Sequence, residues 1–430
     1  MTAVLGILNK QAVAIAADSA VTISTPKGRK ISNTANKIFK LSRSSPIGIA
    51  IYSSSTYMRT PWEIIVNSYQ KKRSGISFEL LQDYAKDFID YVDREFPSTE
   101  NDDKLALNYL LNVVWSNIEA NALSENGGLT PQNVKSFIVL LVKILQKHID
   151  DFVKTPCYTS FTDYTEEMFD QQYGMIINEF YKQLLEHRKL LNEHIETTSF
   201  FQQLRKLIYL LIVSPNKLQE SSGIVFVGYG ESEYFPSLVA IDVSFAFASR
   251  MRYLLLQNET ITKDVDAAIY PFAQHDVIDT IIQGIEPSLE IQYFDNTMKA
   301  LKQVQEAIAS KIDSQDSVLA EQVRKVNITS ILQNLQAAND NIKNRKYIAP
   351  LLETISSFSK EELASMAESM IELTALKRKM TFEEESVGGP VDVAVISKSD
   401  GFVWIHRKHY FDKELNLDYL LNKLKSYDDK

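Results

Sequence analysis

The stretch Met1-Thr2-Ala3-Val4-Leu5-Gly6-Ile7, the run Ala12-Val13-Ala14-Ile15-Ala16-Ala17-Asp18-Ser19-Ala20-Val21-Thr22 and the segment Lys37-Ile38-Phe39-Lys40-Leu41 decide the reading of this chain. Residues 3–8 and 12–17 are short apolar runs rich in Val, Ile and Ala. The polar triplet Asn9-Lys10-Gln11 separates them, so they predict a hairpin of two buried strands. A hydroxyl residue stands directly after the initiator Met, a carboxylate ends the second strand, and a lysine opens the third apolar run. Residues 21–36 are rich in Ser, Thr, Asn and Lys and predict a loop or ragged edge strands. Lys37–Leu41 and Ile47–Tyr52 predict a second hairpin.

Moving outward, Thr60 is placed to cap a helix that carries Pro61 at its first position and Glu63 in its first turn. Apolar residues then recur at helical spacing in Phe78–Phe96, Leu105–Leu123, Val134–Val153, Tyr164–Ile195 and Phe200–Val213. Strands return at Gly223–Gly228, Leu238–Phe247 and near Arg252–Leu256. From 276 to about 376 the period is helical again, with a highly polar, exposed pair of helices expected over 296–345. Val391–Ile396 and Gly401–Ile405 predict a hairpin around Asp400-Gly401, and a short charged helix is expected after Tyr410. Strand regions thus alternate with helical blocks. The expected organisation is a sheet-bearing core at 1–72, 221–275 and 360–412, helical insertions at 73–220 and 276–359, and a charged tail at 413–430.

The order hydroxyl, carboxylate, lysine fits one kind of chemistry. A threonine hydroxyl is a poor nucleophile until a base takes its proton. An α-amine titrates at about 7.7–8.0 and can be that base near neutral pH, whereas a lysine at about 10.4 stays charged. Removal of Met1, ordinary before a small residue, would give Thr2 both groups. Lys37 would keep the amine neutral and favour developing alkoxide charge, and Asp18 would compensate and hold the buried lysine. Paired strands about 4.8 Å apart can bring such groups together.

Thr2, Ala17-Asp18-Ser19 with Thr22, and Lys37-Ile38-Phe39-Lys40-Leu41 resemble the proteasome β-subunit and bacterial ATP-dependent-protease peptidase superfamily of N-terminal nucleophile hydrolases. The likeness resumes at Gly223–Gly230 with Pro236–Asp242, at the helix Lys360–Lys379 and at Val387-Gly388-Gly389-Pro390-Val391 with its following hairpin; it covers less than half of the chain. The resemblance implies an α+β fold, a four-layer αββα sandwich carrying the two helical insertions. It implies a threonine peptidase with Thr2 as nucleophile, Asp18 and Lys37 tuning it, the Ser53 N–H at the oxyanion, and Thr22 and Ser55 pairing with an extended peptide. Two stretches depart from the family. Ala268–Ala273 matches a turn that usually carries a helper serine and has none. Glu384-Glu385-Ser386 matches a late Asp-x-x-Ser, with Glu384 in place of Asp and Ser386 one position out of register. The expected partners are a peptide or protein substrate, an ATP-dependent unfoldase and further copies of the chain. No metal or organic cofactor is required.

Bulk properties agree. The chain has 430 residues, net charge −9 and one cysteine. Negative charge gives neither nucleic acid nor an anionic membrane an electrostatic reason to bind. A single Cys157 excludes an intrachain disulfide and suits a reducing compartment, so a cytoplasmic protein is expected. No secretory signal is visible. His187 and His194, seven residues apart on one helix, read as a solvated face because a metal site needs more ligands than two. Two other functions remain open: a non-catalytic scaffold binding a protein partner through its helical insertions, and a small-molecule amidase.

Overall fold

The computed structural model describes residues 2–25, 28–186, 188–195, 197–216, 221–380, 387–412 and 414–418. Met1, His187, Glu384, Ser386 and the end of the tail lie outside the described residues. The fold is mixed α and β, with antiparallel sheets and many helices.

In chain order, strands β1 (Ala3–Asn9), β2 (Val13–Ala17), β3 (Val21–Thr25), β4 (Gly28–Ser32), β5 (Ile38–Lys40), β6 (Ile47–Ser53), β7 (Thr56–Tyr57) and β8 (Thr60–Pro61) come first. Helices α1 (Trp62–Lys72), α2 (Leu81–Glu95), α3 (Glu100–Asn126), α4 (Val134–Val153), α5 (Glu166–Glu186), α6 (Lys189–Asn192) and α7 (Thr197–Val213) follow. Then come β9 (Ser222–Gly228), β10 (Ser237–Val243), β11 (Tyr253–Thr260) and β12 (Ala267–Ala273). The last part holds α8 (Asp276–Gln283), α9 (Pro287–Asp313), α10 (Ser317–Arg324), α11 (Ile328–Lys343), α12 (Ala349–Ser356), α13 (Lys360–Met380), β13 (Asp392–Ser397) and β14 (Gly401–His406). The chain divides into two compact units, one of residues 1–52, 227–238 and 259–430, the other of residues 53–226 and 239–258.

The first unit is built on a five-stranded sheet in the order β12-β1-β2-β13-β14. Its central hairpin pairs Val4 with Ala17 and Leu8 with Val13. Alternation gives each face a set of apolar residues. One face presents Ala3, Leu5, Ile7, Ala14 and Ala16 to α8, α12 and α13, where Ile278, Ile355, Leu363, Ala367 and Ile371 complete a buried cluster. The alanines of β2 let α13 approach closely. The other face is buried too, at Val4, Val13, Ile15 and Ile396, and β5 packs against β2 and β13. Strand β5 pairs with β6 as expected from the sequence. Gly228, at φ 138°, closes this unit tightly: a Cβ there would stand 2.0 Å from the Pro46 carbonyl oxygen.

One expectation fails here. Ala268–Ala273 is no turn but most of β12, an edge strand paired antiparallel to β1 with Pro271 opposite Leu5. Proline hid it, since proline breaks a strand pattern yet is tolerated at a sheet edge. After β12 the polar segment of this unit folds as α9, against which α10 packs, followed by α11. Asp316 caps α10 through the Val318 and Leu319 N–H groups, and Asn327 caps α11 through Ser330.

The second unit contains most of β9, β10 and β11, neighbours in the order β11-β10-β9, and the helices α1–α7. Helices α1 and α2 supply an aromatic cluster in which Phe88 meets Phe226 edge-on, with centroids 5.5 Å apart. Helices α3, α4, α5 and α7 bury a separate apolar core that includes Leu111, Trp115, Phe137, Leu141, Ile177 and Ile208. Thr99 and Asp102 form a reciprocal capping box at the start of α3. Two boundaries differ from expectation. Helix α1 begins at Trp62 with Pro61 as its cap, because Thr60 and Pro61 are drawn into the small β7–β8 pair. The helix expected over Tyr164–Ile195 ends at Glu186. Arg188 leaves helical geometry (φ −126°, ψ 68°), and its guanidinium clamps Glu119 of α3 through two bonds of 2.6 and 2.7 Å.

Candidate active site

The β1–β2 hairpin positions the first two groups. Ala17 pairs with Val4, so Asp18, one step beyond the strand, faces Ala3. The Asp18 N–H donates to the Ala3 carbonyl (3.2 Å), and the Ala3 N–H donates back to Asp18 Oδ1 (2.9 Å). Thr2 precedes this clasp and is 3% exposed. Its carbonyl accepts the Gln274 N–H at 3.1 Å, just past the end of β12, so Thr2 is held from both sides through its backbone.

Lys37 stands immediately before β5, fixed there because its carbonyl accepts the Ile51 N–H from β6 at 2.8 Å. Its ammonium donates to Asp18 Oδ1 at 2.6 Å and to the Ala20 carbonyl at 2.6 Å. The other carboxylate oxygen, Oδ2, accepts the N–H groups of Ala20 (3.0 Å) and Gly388 (3.1 Å). Asp18 therefore takes three backbone N–H groups and one ammonium, with 1% of its surface exposed. Burial holds the Lys37 ammonium below its usual 10.5, against the opposing charge and hydrogen bond of Asp18. A buried lysine that loses its proton more readily, tied to a saturated carboxylate, is an electrostatic device beside the Thr2–Ala3 peptide.

No family model matches the chain, and no curated protein does. Among solved structures the whole chain is similar to an Anbu (Gly-1) mutant from Hyphomicrobium sp. strain MC1, over 98% of that chain, with 9% identity and a TM-score of 0.28. It is also similar to Anbu (ancestral beta-subunit) from Yersinia bercovieri, over 97% of that chain, with 9% identity and a TM-score of 0.26. These likenesses carry no residue role to this chain.

The remaining expected residues fall in different places. Thr22 is half-buried on β3, opposite Ile31 of β4. Ser53 and Ser55 belong to the second unit, and both are exposed. Ser53 has a left-handed backbone at φ 66°, uncommon for serine. The Ser55 carbonyl accepts the Trp62 N–H at 3.1 Å. Glu384 and Ser386 lie outside the described residues.

The sequence reading missed the backbone donors. Gly388 supplies an N–H to Asp18, and its carbonyl accepts the Ser19 N–H at 3.1 Å. Ser19 Oγ donates to the Pro390 carbonyl at 2.5 Å. Gly389 makes this approach at φ 75°, where a Cβ would stand 2.8 Å from Asn33 Cβ. The Gly-Gly-Pro run was the available signal. A second ion pair, partly buried, was missed as well: Asp392 on β13, opposite Ala17, holds the ammonium of Lys408 and accepts its backbone N–H at 2.9 Å. Nothing in the local sequence couples those two residues.

Proposed function

We propose that the protein is a threonine-type N-terminal nucleophile hydrolase acting on peptide bonds. The observation that carries the reading is the buried Lys37–Asp18 pair bonded to the Ala3 N–H, one residue from Thr2. Packing alone gives no reason to bury a lysine this way, since desolvation of both charges offsets much of their attraction. After removal of Met1, the Thr2 α-amine takes the hydroxyl proton as Oγ adds to a peptide carbonyl. The tetrahedral intermediate expels the amine, which receives that proton, and leaves an ester on Oγ. Water, deprotonated by the Thr2 α-amine, hydrolyses the ester and regenerates Thr2. Lys37 lowers the energy of the developing alkoxide and disfavours protonation of the neighbouring amine. The proposal includes the four-layer αββα arrangement, a peptide or protein substrate, self-association and an ATP-dependent unfoldase as partner.

The test is intact-mass measurement together with labelling by a peptide epoxyketone. The expected result is a mass lacking Met1 and a covalent adduct that Thr2→Ala abolishes. A retained Met1, or labelling indifferent to Thr2→Ala, refutes the reading. The absence of any serine in Ala268–Ala273, where the resemblance implies a helper serine, favours the non-catalytic scaffold as the second reading. In that case the adduct fails to form although Met1 is removed.

A further inference from the structure

The helical bundle of the second unit contains a hollow that its packing does not fill. It lies between α3, α4 and α7 and has a volume of about 320 Å³. Its floor is apolar and buried: Val114, Ile118, Leu207 and Leu211 are each under 5% exposed. Phe152 and Pro215 add apolar wall. Polar groups gather as Asn117, His148 and Asn216, residues less buried than the floor, and among the described residues no charged side chain lines it. The Asn216 amide is anchored on the Leu211 and Ser214 carbonyls at 2.5 and 3.0 Å, which fixes the chain where it leaves α7.

Clefts between bundle helices with an apolar body and a few convergent polar groups are ordinary ligand sites, and about 300 Å³ is the lower end of their range. At about 30 Å³ per water-sized volume, the space takes roughly ten non-hydrogen atoms. The polar end sets the head group. Asn117 and the His148 ring each bring an N–H donor. His148 also lines a second hollow of about 980 Å³, whose charged residues are Glu125, Lys143, Lys147, Asp150 and Asp151. Three acids against two lysines leave no surplus of positive charge for an anion. Among the described residues, the first hollow has no carboxylate to pair with an ammonium.

We propose that this hollow is a binding site for a small uncharged acyl compound, with an apolar body of about eight carbons on the Val114–Ile118–Leu207–Leu211 floor and a carbonyl head accepting from His148 and Asn117. The site is independent of the reading of Thr2. The probe is octanamide, titrated by calorimetry into the full chain beside octanoate and octylammonium. Saturable one-site binding is expected, at least tenfold tighter for octanamide than for either charged analogue. Asn117→Trp, at an exposed position, should fill the mouth and weaken octanamide at least tenfold with an unchanged melting midpoint. His148→Ala should weaken it severalfold while sparing octane-sized apolar packing. Absence of octanamide binding, equal binding of a charged analogue, or affinity unchanged in both variants overturns the proposal.

Discussion

Each unit buries a cation, and they do so in opposite ways. Lys37 is 5% exposed and meets a carboxylate that three backbone N–H groups also hold. Arg252 is 1% exposed, and its guanidinium lies over the rings of Tyr158 and Phe245, 5.0 and 4.5 Å from their centroids, with a hydrogen bond of 2.9 Å to the Leu211 carbonyl. Burial pushes Arg252 down to about 10, still charged at neutral pH. The arginine is held by aromatic faces, a backbone carbonyl and a hydrogen bond with Tyr158, and its guanidinium stays charged, an arrangement that fixes packing. The lysine is held by an oppositely charged carboxylate and is itself closer to titration, which is what proton chemistry needs.

This contrast can be broken by substitution. Asp18→Ala should have the largest effect, about 3–5 kcal/mol lost in a denaturant titration, because it strands a buried ammonium and three N–H groups. Labelling at Thr2 should disappear with it. Lys37→Met should be milder in stability, about 1–2 kcal/mol, since Asp18 keeps its backbone donors, yet it should abolish labelling just as completely. Gly389→Ala should lose about 1–2 kcal/mol through its left-handed φ and its clash with Asn33, and should slow labelling by displacing Gly388 from Asp18. Arg252→Met should change stability by no more than about 1 kcal/mol, because the lost attraction is offset by removal of a buried charge, and the Leu211 carbonyl keeps Asn216 as donor. A loss at Arg252 matching that at Asp18 would erase the distinction.

A pH series sharpens it. The folded pKa of Lys37 lies below the unfolded value of 10.5. Between the two, the unfolded chain binds more protons, so stability rises with pH as the folded lysine titrates. Wild type should gain on Lys37→Met across that alkaline window and run parallel to it below. Labelling should fall in the same window, earlier than a solvent-exposed lysine would allow.

The sequence made some of this legible and hid the rest for identifiable reasons. The β1–β2 and β5–β6 hairpins and the helices from α2 to α4 announce themselves because their apolar period is set by the face they bury. Strand β12 did not, because Pro271 interrupts its pattern at a sheet edge where the missing N–H is harmless. The break at Arg188 was invisible because its cause is Glu119, on another helix. At the site, Asp18 and Lys37 were readable as residue types in order. The N–H groups that saturate Asp18 were not, because every residue but proline carries one and only the fold selects Gly388.

The Gly388 hydrogen bond also sets a clock. Its two partners are separated by 370 positions, so during synthesis Asp18 waits for most of the chain before its second oxygen is complete. On the proposed function, a growing chain carries Thr2 from the beginning, but the surroundings of Asp18 are completed only once the Gly-Gly-Pro run has emerged and docked. A truncated product ending before that run would keep the nucleophile and lack the finished site. On the proposed function, synthesis would therefore run ahead of the site's completion.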